Sequence, residues 1–450
     1  MSQDLTQGSI AKHIQTITIP ASVGFFFSTM YNIIDTYFAG RIGDEALAGM
    51  SASFAAFFII IAVSMGIATA TTSLVANHLG SKNYAEAKEY YLHGIIMGLI
   101  GGLTLTVLGI ISAKPLLSVM HLSPEVLKYA LDFLYVTFAG TIFFVMAGVL
   151  NSYLNAIGNT KVYRNLLIAS VFLNILLDPW LLYGGFGVPA LGIGGIALGT
   201  VIVQILECIY LVIYLRKQKI FEGLTNGFKL QTKILKELFF QAVPSSLNMM
   251  NVAIGSYIIN YFIAIFGANA LAGYGVAIRI EQIALIPAIG LNIAALSIIG
   301  QNNGAKKFDR VRETIKTSLY YGLYIFVFSM IVILGFGKYI FLAFTTSTEI
   351  SSIGMHYLYF ALAIFMAYII SFVTSSALQG IKFPNRALIA NVLRQIILPI
   401  IIFPLMIYTF NLGMNGLWWA LLVVNWIGAI VSIYITNRSI KARELESKTV

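Results

Sequence analysis

The sequence predicts an all-α membrane protein with about twelve transmembrane helices in two six-helix bundles. Hydrophobic residues make up 58% of the chain and charged residues only 10%, against roughly 25% charged in soluble domains. Apolar stretches of about 20 residues, long enough to cross a hydrocarbon core of about 30 Å, recur along the chain. The second half also repeats the first. So few charges cannot cover a soluble surface, so the bilayer is the expected solvent.

Charges, glycines and prolines set the bounds of the predicted spans. In the first half the spans lie near residues 14–39, 46–76, 91–112, 126–156, 163–183 and 193–215. In the second half they lie near 238–266, 271–301, 316–336, 353–380, 387–410 and 415–437. We therefore predict an N-terminal lobe (1–215), a lysine-rich cytoplasmic linker (216–237) and a C-terminal lobe with a basic cytoplasmic tail (238–450).

The net charge of +10 is explained by orientation in the membrane. If the N-terminus is cytoplasmic, the inner segments hold 22 of the 28 lysines and arginines, and the outer segments hold only Arg41, Lys114, Lys128 and Lys338. The positive-inside rule then places both termini in the cytoplasm. We expect a multi-pass protein of the cell (inner, cytoplasmic) membrane, with membrane lipid as a partner and no nucleic acid.

Several classes of function lack the residues they need. Cys208 is the only cysteine, which excludes an intrachain disulfide. The histidines have no metal-ligand spacing, and the glycine-rich runs lack the Gly-Lys-Ser/Thr ending of a phosphate-binding loop. No nucleophile with an adjacent base is evident, so the sequence predicts neither an enzyme nor a cofactor.

An internal repeat relates the two halves. A shift of 224 residues aligns Pro20 with Pro244 and the segment Ala46–Gly49 with Ala270–Gly273, and it gives 17 identities over 70 gapless positions, where chance gives about four or five. Each half holds an even number of spans, so both halves enter the membrane in the same sense. A pseudo-two-fold axis along the membrane normal is therefore predicted, with a central cleft that rocking motions open to either side. This topology indicates transport driven by an ion gradient.

The acids Asp35 and Asp178 lie within predicted spans of the first half, where an ionisable side chain costs at least ~2.5–3.5 kcal/mol. Asp35 is in the first span and Asp178 in the fifth, and both fall in the outer half of the bilayer. Asn174 is four residues before Asp178 and shares its helical face. Thr200 lies about 10 Å down the sixth span, where its hydroxyl would complete an oxygen cluster.

Two neighbouring carboxylates in a low dielectric cannot both stay ionised without compensation. We therefore expect Asp35, Asn174, Asp178 and Thr200 to bind a proton or a shared Na⁺, and expect no other metal. The alternative is that each acid faces a loop at the end of its span or bonds exposed backbone.

The remaining intramembrane residues leave alternatives open. Pro20 permits a bend in the first helix, either a hinge or a static kink, and Pro244 is interpreted as a helix entrance. Glu281 either lines the cleft or pairs with Arg394. Glu207 is expected at the membrane interface. Tyr31, one turn before Asp35, is either a packing residue or a contact for a flat cationic ligand.

Taken together, these motifs resemble the multidrug and toxic compound extrusion (MATE) family. The resemblance covers about residues 10–440 and depends on segments that occur in order on two matching halves. These segments are Tyr31–Gly40, the loops at Gly80 and Gly304, Ala156–Asn159, Asn174–Pro179 and Arg279–Pro287.

The resemblance implies two lobes that form a V and exchange inward H⁺ or Na⁺ for outward organic cations. By motif, Asp35 resembles the acid of the first helix, close to a kinking proline at Pro20. Asn174, Asp178 and Thr200 resemble the first-lobe cation site, and Tyr31 and Asn151 its adjoining polar pocket. No acid marks the seventh span or the middle of the tenth, which favours the DinF-like branch.

The sequence thus predicts an antiporter that acts as a monomer on small molecules. A flippase for lipid-linked oligosaccharide or peptidoglycan precursors is the alternative within the wider superfamily. It would handle anionic pyrophosphates in a basic cleft, whereas the clearest charges here are acids. An intramembrane enzyme lacks catalytic residues.

Overall fold

The computed structural model describes residues 4–221, 228–342, 344–345 and 347–449, and these residues are mainly helical. The helices of the first half are α1 (Ile10–Ile42), α2 (Asp44–Gly80), α3 (Tyr84–Ser118), α4 (Pro124–Ala139), α5 (Thr141–Ala156), α6 (Lys161–Tyr183) and α7 (Ile193–Lys217). Those of the second half are α8 (Thr232–Ala264), α9 (Ala268–Gly304), α10 (Phe308–Leu342), α11 (Thr348–Gly380), α12 (Pro384–Val392), α13 (Leu398–Pro404) and α14 (Gly413–Thr449).

Eleven segments of the described residues are long and apolar enough to cross a membrane. Counting the pair α4 and α5, bent by 47°, as one span gives twelve, which agrees with the prediction of about twelve. The bend lies at Gly140, where a Cβ atom would come within 2.2 Å of Val201 on α7. The eleventh span is composite, because π-helical turns at Leu393–Ile397 and Leu405–Thr409 flank α13.

The chain divides into two compact units. The amino unit contains Val23–Leu79 and Asn83–Ser246, and the carboxy unit contains Met1–Ser22, Gly80–Lys82 and Leu247–Val450. The boundaries therefore fall inside α1 and α8. The predicted lobes and linker stay a prediction, and residues 222–227 of that linker lie outside the described part of the chain.

Each unit has its own apolar interior. In the amino unit, Tyr91, Leu150 and Leu211 pack together between α3, α5 and α7. In the carboxy unit, Tyr357 and Trp418 belong to the largest cluster, with rings 5.1 Å apart. Small residues allow helices to approach closely.

The two aligned prolines both lie inside helices. α1 runs without interruption through the buried Pro20, and whether Pro20 acts as a hinge stays a prediction. The interpretation of Pro244 as a helix entrance is wrong, because α8 already begins at Thr232. The first turns of α8 are polar, so hydropathy gives no sign that the helix begins at Thr232.

Candidate ion-coupling site

Three helices of the amino unit bring together the four residues that the sequence predicts as an ion site. The amide Nδ2 of Asn174 donates to Asp35 Oδ1 and to Asp178 Oδ1, each at 2.9 Å. The hydroxyl of Thr200 donates to Asp35 Oδ2 at 3.2 Å. The two carboxyl groups also lie close enough to interact electrostatically. One amide group thus bridges acids from α1 and α6.

Helical spacing and one missing side chain explain this arrangement. Asn174 and Asp178 are one turn apart on α6 and face the same side. On α7, Gly199 leaves room for the acid, because a Cβ atom there would lie 2.8 Å from Asp178 Oδ1. Pro179 has no backbone N–H, so the carbonyl of Ile175 lacks its usual partner beside the site.

The acids of the site are buried and have no ion-pair partner among the described residues. Asp35 is 4% exposed, and Asn174 and Asp178 are fully buried. The ion pairs among the described residues lie elsewhere, and none involves either acid.

Two oxygens at the site lack a donor. With both acids ionised, no described donor reaches Asp178 Oδ2, and Asn174 Oδ1 is also without a partner. Uncompensated charge in such surroundings is costly. The chemistry that fits is reversible neutralisation by a proton, or by a small cation held by carboxylate, amide and hydroxyl oxygens.

Of the residues predicted to adjoin the site, one lies beside it and the others make no hydrogen bond to it among the described residues. The hydroxyl of Tyr31 lies beside Thr200, one turn before Asp35 on α1. Asn151 on α5 is buried with its Oδ1 unpartnered, and among the described residues no hydrogen bond joins it to the four site residues. Pro20 lies in the carboxy unit's part of α1.

Glu281 lies in the carboxy unit, 1% exposed, and accepts a 2.6 Å hydrogen bond from the Tyr357 hydroxyl. The pairing of Glu281 with Arg394 is not observed. Arg394 is also buried and donates to Asn425 Oδ1 at 2.7 Å. It lies in the first π-helical turn, and Gly428 admits its side chain. The role of Glu281 in a substrate cleft stays a prediction.

The amino unit buries a third acid, Glu207. Its side chain is 2% exposed and accepts a 2.6 Å hydrogen bond from Ser170, whereas its depth in the membrane stays a prediction. Helical spacing carried a signal for this pair, because Ser170 is four residues before Asn174 and Glu207 is seven after Thr200. Counting depth along a helix does not show which face turns inward. Among the described residues, no three acidic, histidine or cysteine side chains cluster as metal ligands.

Comparisons with known proteins agree with this fold. The chain is 29% identical over 366 residues to the probable multidrug resistance protein YoeA of Bacillus subtilis (strain 168), covering 78% of this chain and 76% of that protein. It is 25% identical to the multidrug export protein MepA of Staphylococcus haemolyticus (strain JCSC1435), covering 95% and 94%. A solved structure described as the outward-facing conformation of a multidrug resistance MATE family transporter of the MOP superfamily matches with a TM-score of 0.90 and 24% identity, covering 98% of each chain.

A sequence model of the MatE family matches residues 20–180 and 244–405. The two matches begin at Pro20 and Pro244, which are the residues that the 224-residue shift aligns. They cover more than half of the chain. This multi-pass membrane protein therefore belongs to the MatE family, a family of transporters and not of enzymes.

Proposed function

We propose that this protein is a secondary active multidrug antiporter that exports organic, cationic compounds in exchange for H⁺ or Na⁺. Asp35, Asn174, Asp178 and Thr200 bind the coupling ion. The observation that carries the proposal is the single amide that bridges two buried carboxyl groups, neither of which forms an ion pair with a described basic residue. The relatives named for multidrug export and resistance support the class of substrate, and they do not favour a flippase.

The coupling step follows from electrostatics. When the site is empty and ionised, two negative charges share one amide donor in a medium of low dielectric. A proton taken up by one carboxyl group converts the repulsion into a hydrogen bond between the acids. A Na⁺ ion would also remove the repulsion between the carboxylates, because the unpartnered oxygens of Asp178 and Asn174 can coordinate it. Either ligand changes the geometry between α1 and α6.

Coupling requires that the ion binds one transport state more tightly than the other. α1 supplies Asp35 and, within the same helix, Pro20. Neutralising Asp35 alters the forces on α1, and a bend near Pro20 would transmit that change. Tyr31, on the same helix, offers an aromatic face to a flat organic cation, and Asn151 and Glu281 are the other polar residues proposed to contact substrate. Competition between ion and drug is the second route to coupling.

The remaining features of the proposal follow from the sequence. Both acids and their partners lie in one unit of one chain, so a monomer suffices, and no cofactor besides the coupling ion is needed. The excess of basic residues in alternate segments supports a cell-membrane location with both termini cytoplasmic.

The test is dye efflux from vesicles under an imposed pH gradient and then an imposed Na⁺ gradient. Asp35→Asn and Asp178→Asn should abolish export, since an amide cannot take up a proton and carries no charge for Na⁺. Asp132→Asn is the matched control, because Asp132 is an exposed acid of the same unit. Size-exclusion chromatography establishes that each variant is folded. Normal drug resistance in cells that express Asp35→Asn would contradict the proposal.

A further inference from the structure

A basic cavity of about 590 Å³ lies between α12 and α14, within the carboxy unit. Its cationic lining residues are Arg386, Arg438 and Lys441, and none of its described lining residues is acidic. The apolar part of the lining includes Ile389, Tyr434 and Leu445. Helical spacing places the α14 members on one face, because residues 434, 438, 441 and 445 follow the repeat of three and four. The cavity therefore joins a positive wall to an apolar wall.

The cations of the cavity are not neutralised by neighbouring acids. Arg386 donates to the Ser439 hydroxyl at 2.8 Å, and Arg438 stacks over the ring of Tyr434 at 5.2 Å. Among the described residues, no carboxylate forms an ion pair with Arg386, Arg438 or Lys441.

The next basic residues of α14 are paired, by contrast. Arg443 contacts Glu446 at 2.7 Å, and Lys448 contacts Glu444 at 3.6 Å. Glu444 also binds Arg312. The nearby acids are thus engaged elsewhere, and the cavity keeps its positive charge.

The position along α14 indicates what fills the cavity. α14 has 37 residues, or about 55 Å at 1.5 Å per residue, so it extends well beyond a hydrocarbon core of about 30 Å. The predicted span ends at residue 437, so Arg438 is the first residue beyond it and Lys441 follows one turn later. The cavity consequently lies where lipid phosphates lie.

Apolar side chains continue the cavity towards the membrane interior. On α14, Ile430 lies one turn before Tyr434, and both are exposed. On the other side Ile389 and, further along the same span, Ile400 and Ile401 are exposed as well. Acyl chains can cover these side chains while the headgroup meets the cations.

We propose that this cavity binds the headgroup of an anionic phospholipid. Its phosphate accepts hydrogen bonds from Arg386, Arg438 and Lys441, and its acyl chains pack on the exposed isoleucines of α13 and α14. Basic pockets between transmembrane helices at a membrane surface recognise such headgroups. The site is separate from the ion-coupling residues and does not depend on the proposed transport reaction.

The test is native mass spectrometry of the purified protein titrated with phosphatidylglycerol or phosphatidylcholine. Arg438→Gln with Lys441→Gln should weaken phosphatidylglycerol binding by about 30-fold, from the attraction of two cations near the surface. Arg443→Gln with Lys448→Gln is the matched control, because it removes one arginine and one lysine from the same helix outside the cavity. The control should retain binding, and phosphatidylcholine should bind weakly to all forms.

Three results would overturn the proposal. Equal loss in the two double variants would show a general charge effect, and equal binding of phosphatidylcholine would show that charge is not recognised. Displacement of phosphatidylglycerol by an equal concentration of inorganic phosphate would show a site for the free anion. Thermal unfolding of both double variants in detergent establishes that they are folded before the titration.

Discussion

Gly199→Ala tests whether the geometry of the two acids, and not only their presence, sets the coupling. The added Cβ atom would lie 2.8 Å from Asp178 Oδ1, closer than carbon and oxygen normally approach. Asp178 is fully buried and has little room to yield. The carboxyl group must turn, and its 2.9 Å hydrogen bond from Asn174 is then lost or lengthened.

The size of the effect follows from that bond. Hydrogen bonds to charged groups contribute about 1.5–3 kcal/mol, so the affinity for the coupling ion should change by about 10- to 150-fold. Stability should change less, because alanine favours a helix over glycine by about 1 kcal/mol, which offsets part of the 1–3 kcal/mol typical of overpacking. Gly194→Ala on the same helix is the control, since its Cβ atom would meet other atoms only at 3.6 Å or more.

The assay is dye efflux from proteoliposomes as a function of proton or Na⁺ concentration. We expect Gly199→Ala to shift the ion concentration for half-maximal efflux and Gly194→Ala to behave like the unaltered protein. If Gly199→Ala shows an unaltered ion dependence, or if Gly194→Ala shifts it equally, the packing of Gly199 against Asp178 does not set ion affinity.

Two further predictions concern buried groups outside the coupling site. Glu207→Gln should unfold at the same temperature as the unaltered protein, because its amide oxygen still accepts a hydrogen bond from Ser170, whereas Glu207→Ala should lose roughly 1–3 kcal/mol of stability. Thermal unfolding in detergent measures both variants. Equal loss of stability in both would show that the negative charge itself is required. The His93 ring donates through Nδ1 to the Glu89 carbonyl and accepts through Nε2 from the Gln231 N–H, both at 2.8 Å. His93→Phe removes the bond to Gln231, so the segment that contains the exposed Lys229 should open more often. Trypsin should then cleave after Lys229 about 10-fold faster, as the loss of ~1.4 kcal/mol implies. His121→Phe is the control for the trypsin experiment, because His121 is exposed. An unaltered cleavage rate in His93→Phe would mean that the hydrogen bond from Gln231 to His93 does not hold residues 228–231 in place.

The transmembrane spans were predictable because bilayer solvation leaves a strong signal. A span must satisfy its backbone hydrogen bonds internally, and its lipid-facing side chains must be apolar. Hydropathy alone therefore locates the spans. Hydropathy does not locate the ends of helices that extend beyond the membrane into water. α8 begins at Thr232 and α14 continues to Thr449, and these polar extensions are helical without any apolar signal. Pro244 was misinterpreted for this reason.

The coupling site was predictable where helical geometry was regular. Asn174 and Asp178 share a face by their spacing, and their depth matches that of Asp35. Glu207 has the same kind of signal in its spacing from Thr200, but its proximity to the end of a span favoured an interfacial position. Arg394 lies in a π-helical turn, where the usual spacing rule no longer gives the face. No pattern of apolar residues reveals such a turn.

The repeat in the sequence and the division of the structure meet at the same two positions. The compact units divide after Ser22 in α1 and after Ser246 in α8, and the shift of 224 residues aligns Ser22 with Ser246. Each boundary lies two residues beyond an aligned proline. The first helix of each half is therefore divided between the units at the same position, but Asp35 of α1 aligns with the apolar Ile259 of α8. The division of the first helix is repeated and the acid is not, so an ion bound at Asp35, as proposed, would act directly on α1 and would have no counterpart at the aligned position of α8.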